Sequence, residues 1–301
     1  MAAPALIAIV APTASGKSDL GFCLAKECDG EIFSIDSLSI YKYINIASAK
    51  PSPAQLQAIR HYGINGLEPQ EHCNAIVFVN LLNQAIQTTS KKVLFIVGGS
   101  GFYLWSMIEG LSPMPQIDSA TITQITHHIA SLPNPYTLLS QIDPESALHI
   151  KPSDTYRIHK CLELYFATNQ KPSVYLRTHP KIPLPYPIQL YSIQTQRSIL
   201  RQNIAIRTQN MIKEGIINEA QMLLERYSAQ IQPFKAIGLK ECLAYLEQKI
   251  SLAELQSQIT THTNQLAKRQ ETFNRSKFPN AITLPKDKLY TKILADIKNL
   301  L

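Results

Sequence analysis

Leu6-Ile-Ala-Ile-Val10, followed at once by Ala11-Pro-Thr-Ala-Ser-Gly16-Lys17-Ser18, is the stretch on which the fold of this 301-residue chain turns. An unbroken apolar run without alternation suits a parallel strand covered on both faces. The residues after it match the closing Gly-Lys-Ser of the phosphate-loop pattern, with Ala11 in place of the leading glycine. In such a loop the backbone amides and the N-terminus of the next helix point at phosphate oxygens. Lys17 adds a mobile positive charge, and the Ser18 hydroxyl is placed to ligate Mg²⁺. A positive φ at the leading position would disfavour Ala11. The opening stretch has the apolar look of a secretory leader. It lacks a basic segment and runs straight into the loop, so it reads as a first buried strand.

Glu31–Ile35 and Val93–Val97 are two more runs of this kind, with helical periodicity near Asp19–Glu27 and Ile76–Gln87. Strands alternating with helices imply a parallel sheet whose ligands sit at the carboxyl ends of the strands. The second strand runs into Ser34-Ile-Asp36-Ser-Leu-Ser39-Ile-Tyr41. Its aspartate can order Mg²⁺ indirectly, act as a general base or merely cap a turn. The third runs into Gly98-Gly-Ser100-Gly101-Phe-Tyr103, where the backbone either turns tightly or approaches a ligand, with the Ser100 hydroxyl at the mouth. Val93–Val97 ends without the acid that orders Mg²⁺ in motor-type NTPases, which disfavours ordinary ATP hydrolysis.

From Ser112 to Pro187 the chain is rich in Pro, Ser and Thr, with amphipathic stretches near Ile122–Leu132 and Arg157–Phe166. A small, mainly helical insertion over residues 116–187 therefore divides an α/β core made of residues 1–115 and 188–301. Ile188–Ile193 and Ala281–Leu284 read as further strands. Arg197–Tyr227 reads as one long helix with Arg197, Arg201 and Arg207 near one face. Ser251–Lys277 is another, with Lys268, Arg269, Arg275 and Lys277 around Phe273, and Lys288–Leu300 closes the chain.

The charge is divided between the halves. Residues 1–150 hold 7 Lys/Arg and 11 Asp/Glu, a net of −4, whereas residues 151–301 hold 22 and 11, a net of +11. The C-terminal half would attract polyanions, and basic residues interleaved with an aromatic suit phosphate contacts and base stacking. No apolar run is long enough for a membrane span. Five cysteines without CxxC spacing point to reduced thiols in a cytoplasmic protein. The 8 histidines show no metal-ligand spacing, and no nucleophile elbow is present.

Taken in order, Pro12–Ser18, the D-S-x-x-x-Y of Asp36–Tyr41, Ala49-Lys-Pro51, Gly98–Leu104, the D-x-x-R-I-x-K-x-L-E of Asp154–Glu163, Ala236–Glu241 and Ala267–Phe273 resemble the bacterial tRNA dimethylallyltransferases over nearly the whole chain. Departures from the family pattern are Ala11 for Gly, Ser39 for Gln, Lys160-Cys161 for Arg-Ala and Phe273 for Trp. The resemblance implies a phosphate-loop NTPase-like parallel sheet flanked by helices. It also implies transfer of a dimethylallyl group from dimethylallyl diphosphate to the N6 amine of the adenosine beside the anticodon, with diphosphate as leaving group.

On that reading Ala11, Pro12, Thr13, Ala14, Ser15, Gly16, Lys17 and Ser18 cradle the diphosphate with Arg207, and Ser18 holds Mg²⁺. Asp36 is the base, Ser100 lies near the reacting centre, and a base flipped out of the anticodon loop enters from the opposite mouth. The tRNA would be gripped by Asp36, Ser37, Leu38, Ser39 and Ser100; by Tyr156, Arg157, Ile158, His159 and Lys160; by Ala236, Ile237, Gly238, Leu239, Lys240 and Glu241; and by Lys268, Arg269, Gln270, Phe273 and Arg275. A monomer is expected. The competing reading is a phosphate-loop nucleoside or small-molecule kinase using ATP, which leaves the basic half unexplained. A non-catalytic RNA-binding ATPase leaves Asp36 and the glycine-rich loop without a role.

Overall fold

The computed structural model describes residues 3–300; Met1 and Ala2 of the opening stretch lie outside them. In chain order the first part comprises β1 (Ala5–Val10), α1 (Lys17–Glu27), β2 (Glu31–Ser34), α2 (Pro53–Ala58), β3 (His61–Tyr62), α3 (Ala75–Thr88), β4 (Val93–Gly98) and α4 (Gly101–Glu109). Five helices follow without a strand: α5 (Ser119–Ser131), α6 (Pro135–Ile142), α7 (Pro144–Leu148), α8 (Thr155–Thr168) and α9 (Pro172–Thr178). The remainder is β5 (Ile188–Ile193), α10 (Arg197–Glu214), α11 (Ile216–Arg226), α12 (Leu239–Leu246), α13 (Leu252–Lys277), β6 (Ile282–Leu284) and α14 (Lys286–Leu300).

The six strands form one sheet in the order β3-β2-β4-β1-β5-β6, and every pairing is parallel. The unbroken apolar runs of β1 and β4 lie side by side at its centre, where helices cover both faces and no polar side chain is tolerated. Ile7 and Ile9 face a core shared with Leu20 and Leu24 of α1 and with Leu289, Ile293 and Ile297 of α14. On α3, Phe78 meets Phe33 of β2 edge-on at 6.3 Å and stacks on Tyr103 at 4.5 Å. Each buried aliphatic or aromatic side chain contributes on the order of 1.5–3 kcal/mol, and this framework fixes where the strand ends lie.

The chain divides into two compact units, Met1–Ile108 with Pro185–Leu301, and Glu109–Leu184. The second is all-helical, built on Ile125, Ile129, Leu139, Ile158 and Leu162. Asp143 joins its short helices: its carboxylate accepts from the Ser146 and Ser173 amides and from both their hydroxyls. Burial opposes ionisation of this carboxyl, but together those hydrogen bonds outweigh it and hold its pKa below the usual carboxylate range.

One expectation fails. Arg197–Tyr227 is two helices, because Gly215 adopts φ +95° and serves both as C-cap of α10 and as N-cap of α11. Glycine alone enters that region without steric cost.

Candidate functional site

The carboxyl ends of β1, β2 and β4 open into one cavity of about 600 Å³. Thr13 of the loop after β1 with Lys17 and Ser18 at the head of α1, Asp36–Ser39 after β2, and Gly98–Tyr103 from the end of β4 into α4 all line it. Arg207 of α10, Ala236–Gly238, and Arg269, Gln270 and Phe273 of α13 complete the wall.

The loop at Ala11–Gly16 is held from outside. The Thr13 amide donates to Gln270 Oε1 at 2.8 Å, while Gln270 Nε2 donates to the Gly99 carbonyl at 2.8 Å. A single side chain thus ties the β1 loop to the β4 loop. Asn203 Nδ2 donates to the Ala14 carbonyl at 3.1 Å. Ala11 does not have positive φ, so glycine is not needed there; the left-handed positions of the loop are Ala14, at φ +62°, and Gly16, at φ +80°. Lys17 is buried with its ammonium 3.3 Å from the Pro12 carbonyl. Burial chiefly, and then the Arg207 guanidinium, lower its pKa to about 8, against the opposing pull of Asp36. Arg207 is lowered by burial too, and Asp36 again opposes. Two desolvated cations beside one carboxylate give this end of the cavity electrostatics that suit an anion.

Asp36 Oδ1 accepts from the Leu38 amide at 2.9 Å and the Ser39 amide at 3.1 Å, a turn that fixes the carboxylate at the strand end. The Ser100 amide donates to the Ile35 carbonyl at 3.2 Å, which brings Ser100 alongside Asp36. A Cβ on Gly98 would lie 2.7 Å from the Ile35 backbone, so the close approach of β4 to β2 there requires glycine. Ser39 is buried, its hydroxyl 3.0 Å from the Ser34 hydroxyl and 3.4 Å from the Asp36 carbonyl. It serves the turn more than the cavity.

Other expected contacts fall elsewhere. Pro12, Ser15 and Gly16 belong to the loop itself. Ile158 and Leu239 are buried in apolar cores, so their side chains offer nothing to an RNA and are explained by packing. Glu241 is also buried: it accepts from the Gly238 amide at 2.7 Å and pairs with His262 of α13 at 2.7 Å, bracing the Ala236–Gly238 wall. Tyr156 is 72% exposed on α8. Beside it Arg157 pairs with Asp154, while His159 and Lys160 face Glu163. Lys240, Lys268, Arg269 and Arg275 are exposed. Arg207 does not share a face with Arg197 and Arg201: it enters the cavity, and they line a separate groove.

Sequence reasoning missed two supports. Lys50, on the cavity wall, donates to the Tyr41 carbonyl at 2.8 Å and to Asn65 Oδ1 at 2.7 Å. Burial lowers it to about 8, opposed by Glu219 and Asp36. Its signal was a lone cation within the Ala49–Pro51 motif of an acidic half. Glu219 of α11 accepts from the Asn45, Ile46 and Ala47 amides at 2.6, 2.8 and 2.9 Å, and so sets the path of the segment that leads to Lys50.

A phosphate loop and a fixed carboxylate lining one cavity, at the carboxyl edge of a parallel sheet, suit a transferase that takes a group from a phosphorylated donor. The model of the family described as IPP transferase matches residues 39–277. A tRNA dimethylallyltransferase of Helicobacter pylori is 48% identical over 275 residues, 91% of this chain and 88% of its own. One from Wolinella succinogenes is 43% identical over 291 residues, 96% of this chain and 97% of its own. A solved eukaryotic dimethylallyltransferase acting on tRNA superposes with a TM-score of 0.82 at 25% identity, over 98% of this chain and 79% of that one. The chain belongs to the tRNA dimethylallyltransferases, the IPP transferase family, and the kinase reading falls. Among the described residues no helix is long and apolar enough to cross a membrane.

Proposed function

We propose that the protein transfers the dimethylallyl group of dimethylallyl diphosphate to the exocyclic N6 amine of the adenosine next to the anticodon in tRNA, releasing diphosphate. The observation that carries this reading is the polarity of one cavity, with desolvated Lys17 and Arg207 at one end and Asp36 with Ser100 beside it. The amine nitrogen forms a bond to the allylic carbon as the carbon–oxygen bond to diphosphate breaks. Asp36 accepts the proton that the amine loses, and Ser100 orients the amine. Lys17, Arg207 and the loop amides take up the charge that develops on the leaving diphosphate. The amine is a weak nucleophile because its lone pair is delocalised into the ring. Alignment and leaving-group stabilisation therefore supply most of the rate.

Mg²⁺ fits this site. Among the described residues no group of three His, Cys, Asp or Glu side chains could hold a metal by itself. Mg²⁺ keeps several waters and commonly binds through one or two protein oxygens together with substrate phosphates. The Ser18 hydroxyl at the head of α1 would be the protein oxygen for it, and the buried Ser15 hydroxyl of the preceding loop has no protein partner. When bound, the ion supplies further charge neutralisation to the leaving group.

The test uses radiolabelled dimethylallyl diphosphate, Mg²⁺ and unmodified tRNA, with ATP and a nucleoside panel in parallel. Label moving into tRNA is expected. Phosphate moving from ATP to a nucleoside, with no label in tRNA, would overturn the reading.

A further inference from the structure

We infer that the groove between α10 and α13 is a docking track for the sugar–phosphate backbone of the RNA substrate. It is distinct from the catalytic cavity and built on Arg197, Arg201 and Lys268. This rests on the proposed transfer to tRNA and says where the rest of that RNA is held.

The groove encloses about 330 Å³. Leu200 and Ala267 form its floor, and both pack with Ile204 against Ala14 of the phosphate loop. The groove is therefore adjacent to the catalytic loop and shares its supporting helices. Arg197 and Arg201 stand one helical turn apart on α10 and are exposed, as is Lys268 on α13. Each ion pair of the described residues leaves these three out. Contrast Arg157 and Lys160, whose charges are engaged by Asp154 and Glu163. Glu271 is the single acid among the groove's lining residues, so the groove is net positive, and Gln265 adds an amide to its wall.

The positive end of α10 lies at the same place. Its N-cap, Gln196, makes no side-chain capping hydrogen bond, so the first-turn amides beside Arg197 are not capped by it. Splayed, solvated cations along an open groove differ from the convergent, desolvated pair at Lys17 and Arg207. A single diphosphate is gripped by the second arrangement, whereas a chain of separated phosphates matches the first.

The full-length protein is tested by titrating unmodified tRNA at a series of salt concentrations, with inorganic diphosphate binding and prenyl transfer measured on the same samples. For R197Q/R201Q/K268Q the slope of log K against log salt should flatten by about 2, taking roughly 0.7 per lost phosphate contact. Affinity for tRNA near 0.1 M salt should fall at least ~10-fold, with diphosphate binding unchanged. Glu271→Lys should move tRNA affinity the other way, and it provides a readout if the triple variant folds poorly. An unchanged slope in the triple variant, or tRNA affinity unmoved by Glu271→Lys, overturns the groove while wild-type transfer to tRNA still upholds the reaction. Weakened diphosphate binding with tRNA affinity intact would instead make the groove part of the donor site and overturn the inference. Wild-type protein that transfers no prenyl group to tRNA refutes the underlying reading itself.

Discussion

Asp36 is asked to do two things at once. Oδ1 holds the turn through the Leu38 and Ser39 amides, so alanine at this position would disturb the loop as well as the chemistry. Asp36→Asn keeps an acceptor for those amides and removes the proposed base. Turnover should fall by about 10²–10⁴ with tRNA affinity nearly unchanged; near-normal turnover would move the base elsewhere. Lys17 offers a second test at this scale. Its pKa of about 8 lies below the ordinary lysine value of 10.5, so between those values the unfolded chain binds more protons than the folded one. Stability contributed by this group thus rises with pH across that window, while affinity for diphosphate falls because the cation is lost. The advantage of wild type over Lys17→Met in binding inorganic diphosphate should therefore shrink above about pH 8. A constant ratio from pH 7 to 9.5 would show that Lys17 stays charged throughout. Lys50 also titrates near 8, and Lys50→Met separates its part in the stability profile.

Elements matter because the loops that line the cavity are short and are braced by helices distant in sequence. Gln270, more than two hundred residues from Thr13, closes the β1 loop onto the β4 loop through two hydrogen bonds of 2.8 Å. Each such bond contributes about 0.5–1.5 kcal/mol net. Gln270→Ala should lower stability by about 1–3 kcal/mol in urea unfolding and weaken diphosphate binding. Gln270→Glu keeps the acceptor for Thr13 but sets a carboxylate oxygen against the Gly99 carbonyl, and should recover little. Retention of wild-type stability and diphosphate affinity in both variants would mean that the loops hold each other without α13. Glu219 acts in the same way on the Asn45–Ala47 backbone. Neither link could be read beforehand: hydrophobic periodicity reports which face of a helix is buried, not which polar side chain reaches which loop. The Gly215 break shows a related limit, since a helical pattern on both sides of a glycine does not reveal the positive φ that separates them.

Over the whole molecule, an acidic first half and a basic second half set the expected approach of a polyanion. The unit Glu109–Leu184 presents Tyr156, Arg157 and Lys160 on α8. Their exposed ion pairs with Asp154 and Glu163 are worth about 0–1 kcal/mol, so phosphates can replace them cheaply. Arg157→Ala with Lys160→Ala should weaken tRNA binding and reduce its salt dependence while leaving inorganic diphosphate affinity as it was. Unchanged tRNA binding in that double variant would remove α8 from the RNA surface.

By itself, the sequence determined the parallel α/β core, since the buried runs at β1, β2 and β4 have no other stable use, and it marked the three strand ends that became the cavity. Local chemistry sufficed there because a strand buried on both faces must be apolar throughout, and a phosphate loop must follow it directly. A two-residue strand such as β3 carries too little pattern to be seen. Only the tertiary structure decided that Arg207 enters the cavity while Arg197 and Arg201 face a different groove. It alone committed Ser39 to the Asp36 turn and gave Gln270, Glu219 and Glu241 their bracing roles. Those outcomes depend on helix phase and on contacts between residues far apart in the chain, which no local run of residues encodes.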